Sequence, residues 1–281
     1  MAEAGRQPTA VITGASSGIG SAAAELLAAQ GFHVVLVGRD PQRLEAAVAR
    51  VREAAHGPGS APQSFQADFE RLADVHALAS RVLAMYPTID VLVNNAGMRV
   101  PAYRRTVDGN EATIQVNHLS HFLLSHLLRE SLRGGRIVNT SVLPGPGVRL
   151  DPDDLNGSEQ RYRSIPAYQS SKAANVLFAM EAASRWPDIL SVSFHPGLVR
   201  TNINEGTNLQ SFFRYAPFLR SPRQAAERLV RLATVPADEL STGGFYVAER
   251  PTRLRHRIFN PQVASRLWTT SEKAVSVDRT S

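Results

Sequence analysis

The segment Thr13-Gly14-Ala15-Ser16-Ser17-Gly18-Ile19-Gly20 follows a short apolar run, Ala10 to Thr13, and opens the alanine- and leucine-rich stretch Ser21 to Gln30. Three glycines so spaced, between a strand-like and a helix-like segment, constrain the chain to begin as strand, tight turn and helix. Gly14 permits the sharp bend, Gly18 lets backbone approach a ligand, and Gly20 allows the helix to pack closely on the strand. Gly31 then supplies a helix stop, and Phe32 to Val37 is a continuous apolar run, as a strand buried on both faces requires.

The alternation continues along the chain. Asp40-Pro41 starts a second helix, with Asp40 as cap and Pro41 at the first helical position. Strands are expected at 64–67, 91–93, 136–141, 190–195 and 244–248, and helices at 74–85, 110–132, 167–184 and 223–233. Strands alternating with helices mean βαβ units. The predicted fold class is α/β: one single-domain Rossmann-type doubly wound parallel sheet with helices on both faces, spanning 1–281 without internal repeats. Residues of about 8–200 form the expected cofactor core. Two long connections, 143–166 and 202–222, follow strands and therefore lie at their carboxyl ends, where open α/β sheets bind ligands. The second carries Phe212, Phe213, Tyr215 and Phe218 and is expected to act as a substrate lid, with 250–281 as a C-terminal extension.

Composition narrows the function classes. Apolar residues make up 43% and charged ones 20%, which suits a large buried core rather than disorder. The net charge is +6, yet the arginines are scattered, and their densest cluster, Arg250 to Arg257, has no interleaved aromatic platform. The charge therefore reads as a solvated surface, and no nucleic-acid partner is expected. With no cysteine, disulfides, thiolate metal sites and thiol nucleophiles are excluded. The first ten residues lack an apolar core, and no run approaches the roughly 18 apolar residues of a membrane span. A soluble, cytoplasmic chain without a membrane span is expected. His118, His121 and His126 share one predicted helix but lack the i, i+4 metal spacing with an acidic partner, so no metal site is assigned.

The glycine turn points to a dinucleotide. Backbone amides around Ser16, Ser17 and Ile19 would face its phosphates at the start of the first helix, where the helix dipole favours negative charge. The second strand ends Val37-Gly38-Arg39 rather than in the acidic residue that accepts hydrogen bonds from an adenosine ribose. Gly38 leaves room for a 2′-phosphate and Arg39 puts a guanidinium beside it, so NADP is the expected cofactor. Far downstream, Tyr168 and Lys172 stand one helical turn apart, and Lys172 is one of only two lysines in the chain. Moving a phenol from a pKa near 10 to about 7 requires roughly 4 kcal/mol of preferential phenolate stabilisation. An ammonium on the same helix face supplies part of it. Tyr168 is thus the expected general acid/base.

Together with Asn94-Asn95-Ala96-Gly97 after a strand, these motifs resemble the short-chain dehydrogenase/reductase family over essentially the whole chain. Asp108-Gly109, Asn117-His118-Leu119, His121-Phe122-Leu123-Leu124, His195-Pro196-Gly197, Leu267-Trp268 and Ser271-Glu272-Lys273 look closer still to the retinol dehydrogenase and oxidoreductase-like subgroup. The resemblance implies that Asp68 contacts the adenine, and that Asn95, Ala96 and Gly97 line the cofactor groove. It further implies that Pro196, Gly197, Val199 and Thr201 hold the nicotinamide end, and that Lys172 holds the nicotinamide ribose. It assigns Asn117 as anchor of a proton-relaying water, and implies a homodimer or homotetramer. The family's fourth catalytic member is a serine ending the fifth strand, commonly the second of two. Here Ser141 takes the first position and Val142 the second. Ser141 is carried as the candidate, and loss of one polarising donor would cost about 10² to 10³ in rate.

The expected function is an NADP(H)-dependent reduction of a ketone, or oxidation of a secondary alcohol, on a fairly apolar small molecule. Two alternatives remain open: a tailoring enzyme on the same fold (epimerase, dehydratase or cyclase), and a non-catalytic NADP-binding regulatory protein.

Overall fold

A computed structural model describes residues 6–55, 61–145, 148–200 and 219–276. Its strands are β1 (Thr9–Thr13), β2 (His33–Gly38), β3 (Gln63–Gln66), β4 (Val91–Asn94), β5 (Arg136–Thr140), β6 (Leu190–His195), β7 (Phe245–Val247) and β8 (Arg250–Pro251). They form one sheet in the order β3-β2-β1-β4-β5-β6-β7-β8, parallel throughout except for the short antiparallel β8. The order reverses between β1 and β4, which is where a doubly wound sheet opens a crevice.

Successive strand residues serve opposite layers. Val11, Val35, Val37, Leu92 and Ile137 enter one apolar cluster, and Ile12, Leu36, Val93, Val138 and Phe194 enter the other. That two-faced burial explains why these runs are apolar without alternation. Helices α1 (Gly18–Ala29) and α2 (Pro41–Ala54) cover the second cluster, together with α7 (Pro222–Thr234). Covering the first are α3 (Leu72–Met85), α5 (Ser120–Leu127), α6 (Ser164–Arg185) and α8 (Pro261–Ala274). Asp40 caps α2 as its sequence position implies, accepting from the Arg43 amide at 3.0 Å.

The segment expected as one long helix over 110–132 is not one. It starts as α4 (Ala112–Ile114), widens into a π turn (Gln115–Leu119), resumes as α5, and ends in a 3₁₀ turn (Glu130–Leu132). The π turn inserts an extra residue into the helical ladder. It holds the buried Asn117.

The C-terminal extension is folded over 261–274. Trp268 is buried against Phe178 in a stacked pair at 5.7 Å, and edge-on to Phe122 and Trp186 at 5.0 Å each. The lid expected at 202–222 lies outside the described residues except for its last four. Among the described residues, no helix is long and apolar enough to cross a membrane. Because α8 reaches the main core through Trp268, Trp268→Ala should lower the unfolding free energy by about 3–5 kcal/mol. Urea unfolding checks this; a change under about 1 kcal/mol would mean the tail is not part of the cooperative core.

Candidate active site

The carboxyl ends of β1 to β6 border a single cleft of about 1270 Å³. Gly14 turns the chain after β1 with φ +66°, and a Cβ there would lie 2.8 Å from the Ala96 Cα. Gly20 is not on the cleft surface. A Cβ on it would stand 2.3 Å from the Gly14 carbonyl oxygen, so it lets α1 seat against the turn. Ser17 caps α1 without a side-chain hydrogen bond, and no acidic residue occupies the first turn, so the helix start presents bare amides. Ser16, Ser17, Gly18 and Ile19 all line the cleft.

Thr13 binds the two central walls together. Its buried hydroxyl oxygen accepts from the Asn95 amide at 2.8 Å and the Ala96 amide at 3.0 Å. His121 completes the junction. Burial pushes its pKa down to about 3, so the ring is neutral. Its Nδ1 donates to the Asn117 carbonyl at 3.1 Å, and Nε2 stands 2.9 Å from the Thr13 hydroxyl, whose one proton it shares with the Val93 carbonyl at 3.1 Å. The other two histidines are also committed to protein partners: His118 to the Ser271 hydroxyl at 2.8 Å, and His126 to the Phe122 carbonyl at 3.0 Å.

At the far wall, Tyr168 is half-buried on α6 with Lys172 one turn later. The Lys172 ammonium is 2% exposed and donates to the Thr140 carbonyl at 3.3 Å. Among the described residues no carboxylate pairs with it, and burial holds its pKa at about 8. Gly97 makes room for it, since a Cβ there would lie 3.1 Å from both Lys172 Nζ and Asn117 Oδ1. Burial raises the Tyr168 phenol above its usual value, and the charge of Arg99 opposes that rise. Burial thus works against the acidification of Tyr168 that the nearby Lys172 ammonium was expected to produce.

Two further candidates are engaged within the protein. Asn117 lies beneath the cleft, and every polar atom of its side chain is engaged. Oδ1 accepts from the Met98 amide at 2.8 Å, while Nδ2 donates to the Met98 carbonyl at 2.9 Å and to Ser171 Oγ at 2.8 Å. It clamps the loop after β4 to α6. Ser141 borders the cleft, but its hydroxyl donates to the Lys172 carbonyl at 2.6 Å. Its single proton is thus unavailable to a substrate carbonyl in this structure.

Arg39, Asp68, Asn95, Ala96, Pro196, Gly197 and Val199 border the same cleft; Thr201 lies outside the described residues. Leu143, Ile165 and Leu198 line the same cleft as Tyr168, each about half exposed at 50%, 47% and 54%. Sequence reasoning missed Thr13, His121, Arg99, Glu70 and Arg104 as parts of the site. Only His121 left a signal, its four-residue offset from Asn117 on one helix.

The cleft thus joins a glycine turn and a helix start with free amides to a buried ammonium and a tyrosine. Residues 8–211 match the family model described as short chain dehydrogenase, and the chain belongs to the short-chain dehydrogenase/reductase family. It is 50% identical over 267 residues to the Streptomyces sp. (strain C5) protein named "Putative daunorubicin C-13 ketoreductase DnrU", covering 95% of this chain and 92% of that one. Human retinol dehydrogenase 12 is 33% identical over 268 residues, covering 93% and 84%. A solved structure of an uncharacterised protein from Mycobacterium paratuberculosis superposes with a TM-score of 0.77 at 32% identity, covering 96% and 94%. An alcohol dehydrogenase from Thermococcus sibiricus, complexed with 5-hydroxy-NADP, does so at 0.64 and 25%, covering 83% and 93%.

Lys172 also sets a stability prediction. The folded chain releases this proton near pH 8, the unfolded chain near 10.5. The buried charge therefore opposes folding in full below about pH 8, and the penalty fades as pH climbs towards 10.5. Lys172→Met should raise the unfolding free energy at pH 7 by up to ~3 kcal/mol, with the gain shrinking by pH 10. Urea unfolding at both pH values reads this; a variant no more stable at pH 7 would contradict an uncompensated buried cation.

Proposed function

We propose that the protein is an NADP(H)-dependent ketone reductase, or secondary-alcohol dehydrogenase in reverse, acting on a fairly apolar small molecule with Tyr168 as proton donor. The observation that carries the reading is the buried Lys172 ammonium, unpaired by any described carboxylate, one turn from Tyr168 in a cleft whose opposite wall is built for phosphates. A charge left so exposed to desolvation cost suits a site that receives a polyanionic ligand. The name of the ketoreductase relative and the NADP-type ligand in the archaeal alcohol dehydrogenase support the same choice. We place the chemistry in one domain and in a dimer or tetramer, as the family resemblance implies.

In this reading a reduced nicotinamide supplies the hydride that adds to the carbonyl carbon. Tyr168 gives its proton to the carbonyl oxygen, and the phenolate left behind is stabilised by the Lys172 charge. A phenol raised by burial stays protonated across neutral pH, which suits the donor role in reduction. Asn117 and His121 act as positioning residues, fixing the Met98 loop and the Asn95–Ala96 turn. Asn95, Ala96 and Gly97 would hold the middle of the cofactor, Asp68 its adenine, and Pro196, Gly197, Val199 and Thr201 its nicotinamide end. The apolar side chains of Leu143, Ile165 and Leu198 would receive a ring or chain beside the reacting carbonyl. With the Ser141 proton committed to the Lys172 carbonyl, carbonyl polarisation falls to Tyr168, and a slow reductase is expected. The same commitment favours, as a second reading, a tailoring reaction without net redox change. Substrate turnover with no change in NADPH absorbance would select it.

Tyr168→Phe should lower reductive kcat about 10²- to 10⁴-fold while NADPH affinity stays within about twofold. Reduction needs both protons in place, so kcat/KM for NADPH, which reports groups of the chain before the cofactor binds, should be level below pH 7 and fall as Lys172 loses its proton near pH 8. Steady-state kinetics on apolar ketones reads both, and a rate that climbs with pH would exclude Tyr168 as the acid. Arg39→Asp should turn a preference for NADPH into one for NADH; equal wild-type affinities for the two would refute the role given to Arg39.

A further inference from the structure

Three arginines, Arg39, Arg43 and Arg104, border the cleft where β2 and β3 end, next to Ser16 and Gly38. Arg43 is paired with Asp40 at 3.5 Å. Arg39 and Arg104 share one carboxylate, that of Glu70. Arg104 grips it in a two-pronged pair, Nη2 to Oε1 at 2.9 Å and Nη1 to Oε2, whereas Arg39 Nη1 only approaches Oε1 at 3.8 Å. Both guanidiniums lower the Glu70 pKa, the Arg104 hydrogen bond most, so Glu70 is ionised. Glu70 is thus held chiefly by Arg104, on which the Asp68 and Glu111 charges also act, and Arg39 is the loosely held guanidinium, positioned to take another anion.

Arg104 does not come from the strand that carries Arg39. It lies on the loop between β4 and α4, which is anchored independently of this pair. The Arg104 carbonyl accepts from the Ala112 amide at 3.0 Å, and Asp108 Oδ2 accepts from the Leu72 amide at 2.9 Å and from Gln115 Nε2 at 2.7 Å. The guanidinium is thereby presented to Glu70 from a fixed base.

We propose that Arg104 is a specificity-determining residue for the 2′-phosphate of NADP(H), acting through Glu70: it neutralises that carboxylate so that Arg39 is free to bind the phosphate. The inference rests on the NADP reading above and deepens it. Without Arg104, Glu70 has Arg39 as its only partner. The carboxylate then competes with the phosphate for the same guanidinium and repels the phosphate directly. A dinucleotide lacking the 2′-phosphate meets neither effect. Since the pair is partly exposed, the discrimination it provides weakens as salt rises.

The test is fluorescence titration of NADPH and NADH on the full chain, at low and high salt. Arg104→Gln should weaken NADPH about tenfold and leave NADH within about twofold, with the NADPH loss shrinking at high salt. Adding Glu70→Gln to Arg104→Gln should restore NADPH affinity. A double variant that stays weak would show that Arg104 touches the phosphate itself, and would overturn the proposal. Equal losses for both nucleotides, or no loss at all, would overturn it too. Glu70→Gln alone weakening NADH would mark the carboxylate as a ribose acceptor and contradict it. A wild-type chain without NADPH preference would instead sink the NADP assignment, and this role with it.

Discussion

The site depends on one buried ammonium. Lys172 sits almost wholly inside the protein, with a hydrogen bond to a backbone carbonyl and, among the described residues, no carboxylate to balance it. Leaving a charge in that state is costly, because desolvation is not repaid by a partner. The neighbourhood is arranged to make it tolerable. Gly97 gives up a side chain to clear space, and Thr140 turns its carbonyl towards the amine. Ser141, which might have offered a proton to a ligand, binds the Lys172 carbonyl and so fixes the helix turn that carries the lysine.

Around that charge the cleft is held by hydrogen bonds between neutral groups. Thr13, His121 and Asn117 form one chain from the end of β1, through the π turn, to the Met98 loop and α6. Burial keeps His121 neutral, which lets one ring nitrogen donate while the other accepts. A charged imidazole could not do both. The walls of the cleft are thus positioned by buried groups behind them.

Much of this was legible in the sequence because it is local. The glycine turn, the Asp40-Pro41 helix start, the apolar strand runs and the Tyr168–Lys172 spacing each depend on residues within a turn or two. The parallel sheet with helices on both faces followed from the alternation of elements. What was not legible depends on distant partners. The π turn looks like helix in composition, and only packing of Asn117 against Met98 and Ser171 reveals why the ladder widens there. Glu70 and Arg104 are separated by 34 residues, and nothing in either neighbourhood announces their pairing. Ser141 was read by its position beside Val142, but the direction of its hydroxyl is set by the carbonyl of Lys172 across the fold. The phenol of Tyr168 was expected to be acidified by its neighbour. Sequence spacing conveys proximity of charge, but it does not convey burial, and burial prevails here.

The central claim is that Lys172 is a cation held ready for an anionic dinucleotide. Its pKa near 8 in the free chain should rise when such a ligand binds, so binding at pH 8 should draw a proton from solution. Calorimetric titration with NADPH in buffers of different ionisation enthalpy measures that proton directly. The account predicts a fractional uptake in the wild-type chain that disappears in Lys172→Met. No uptake, or an uptake unchanged by Lys172→Met, would contradict it.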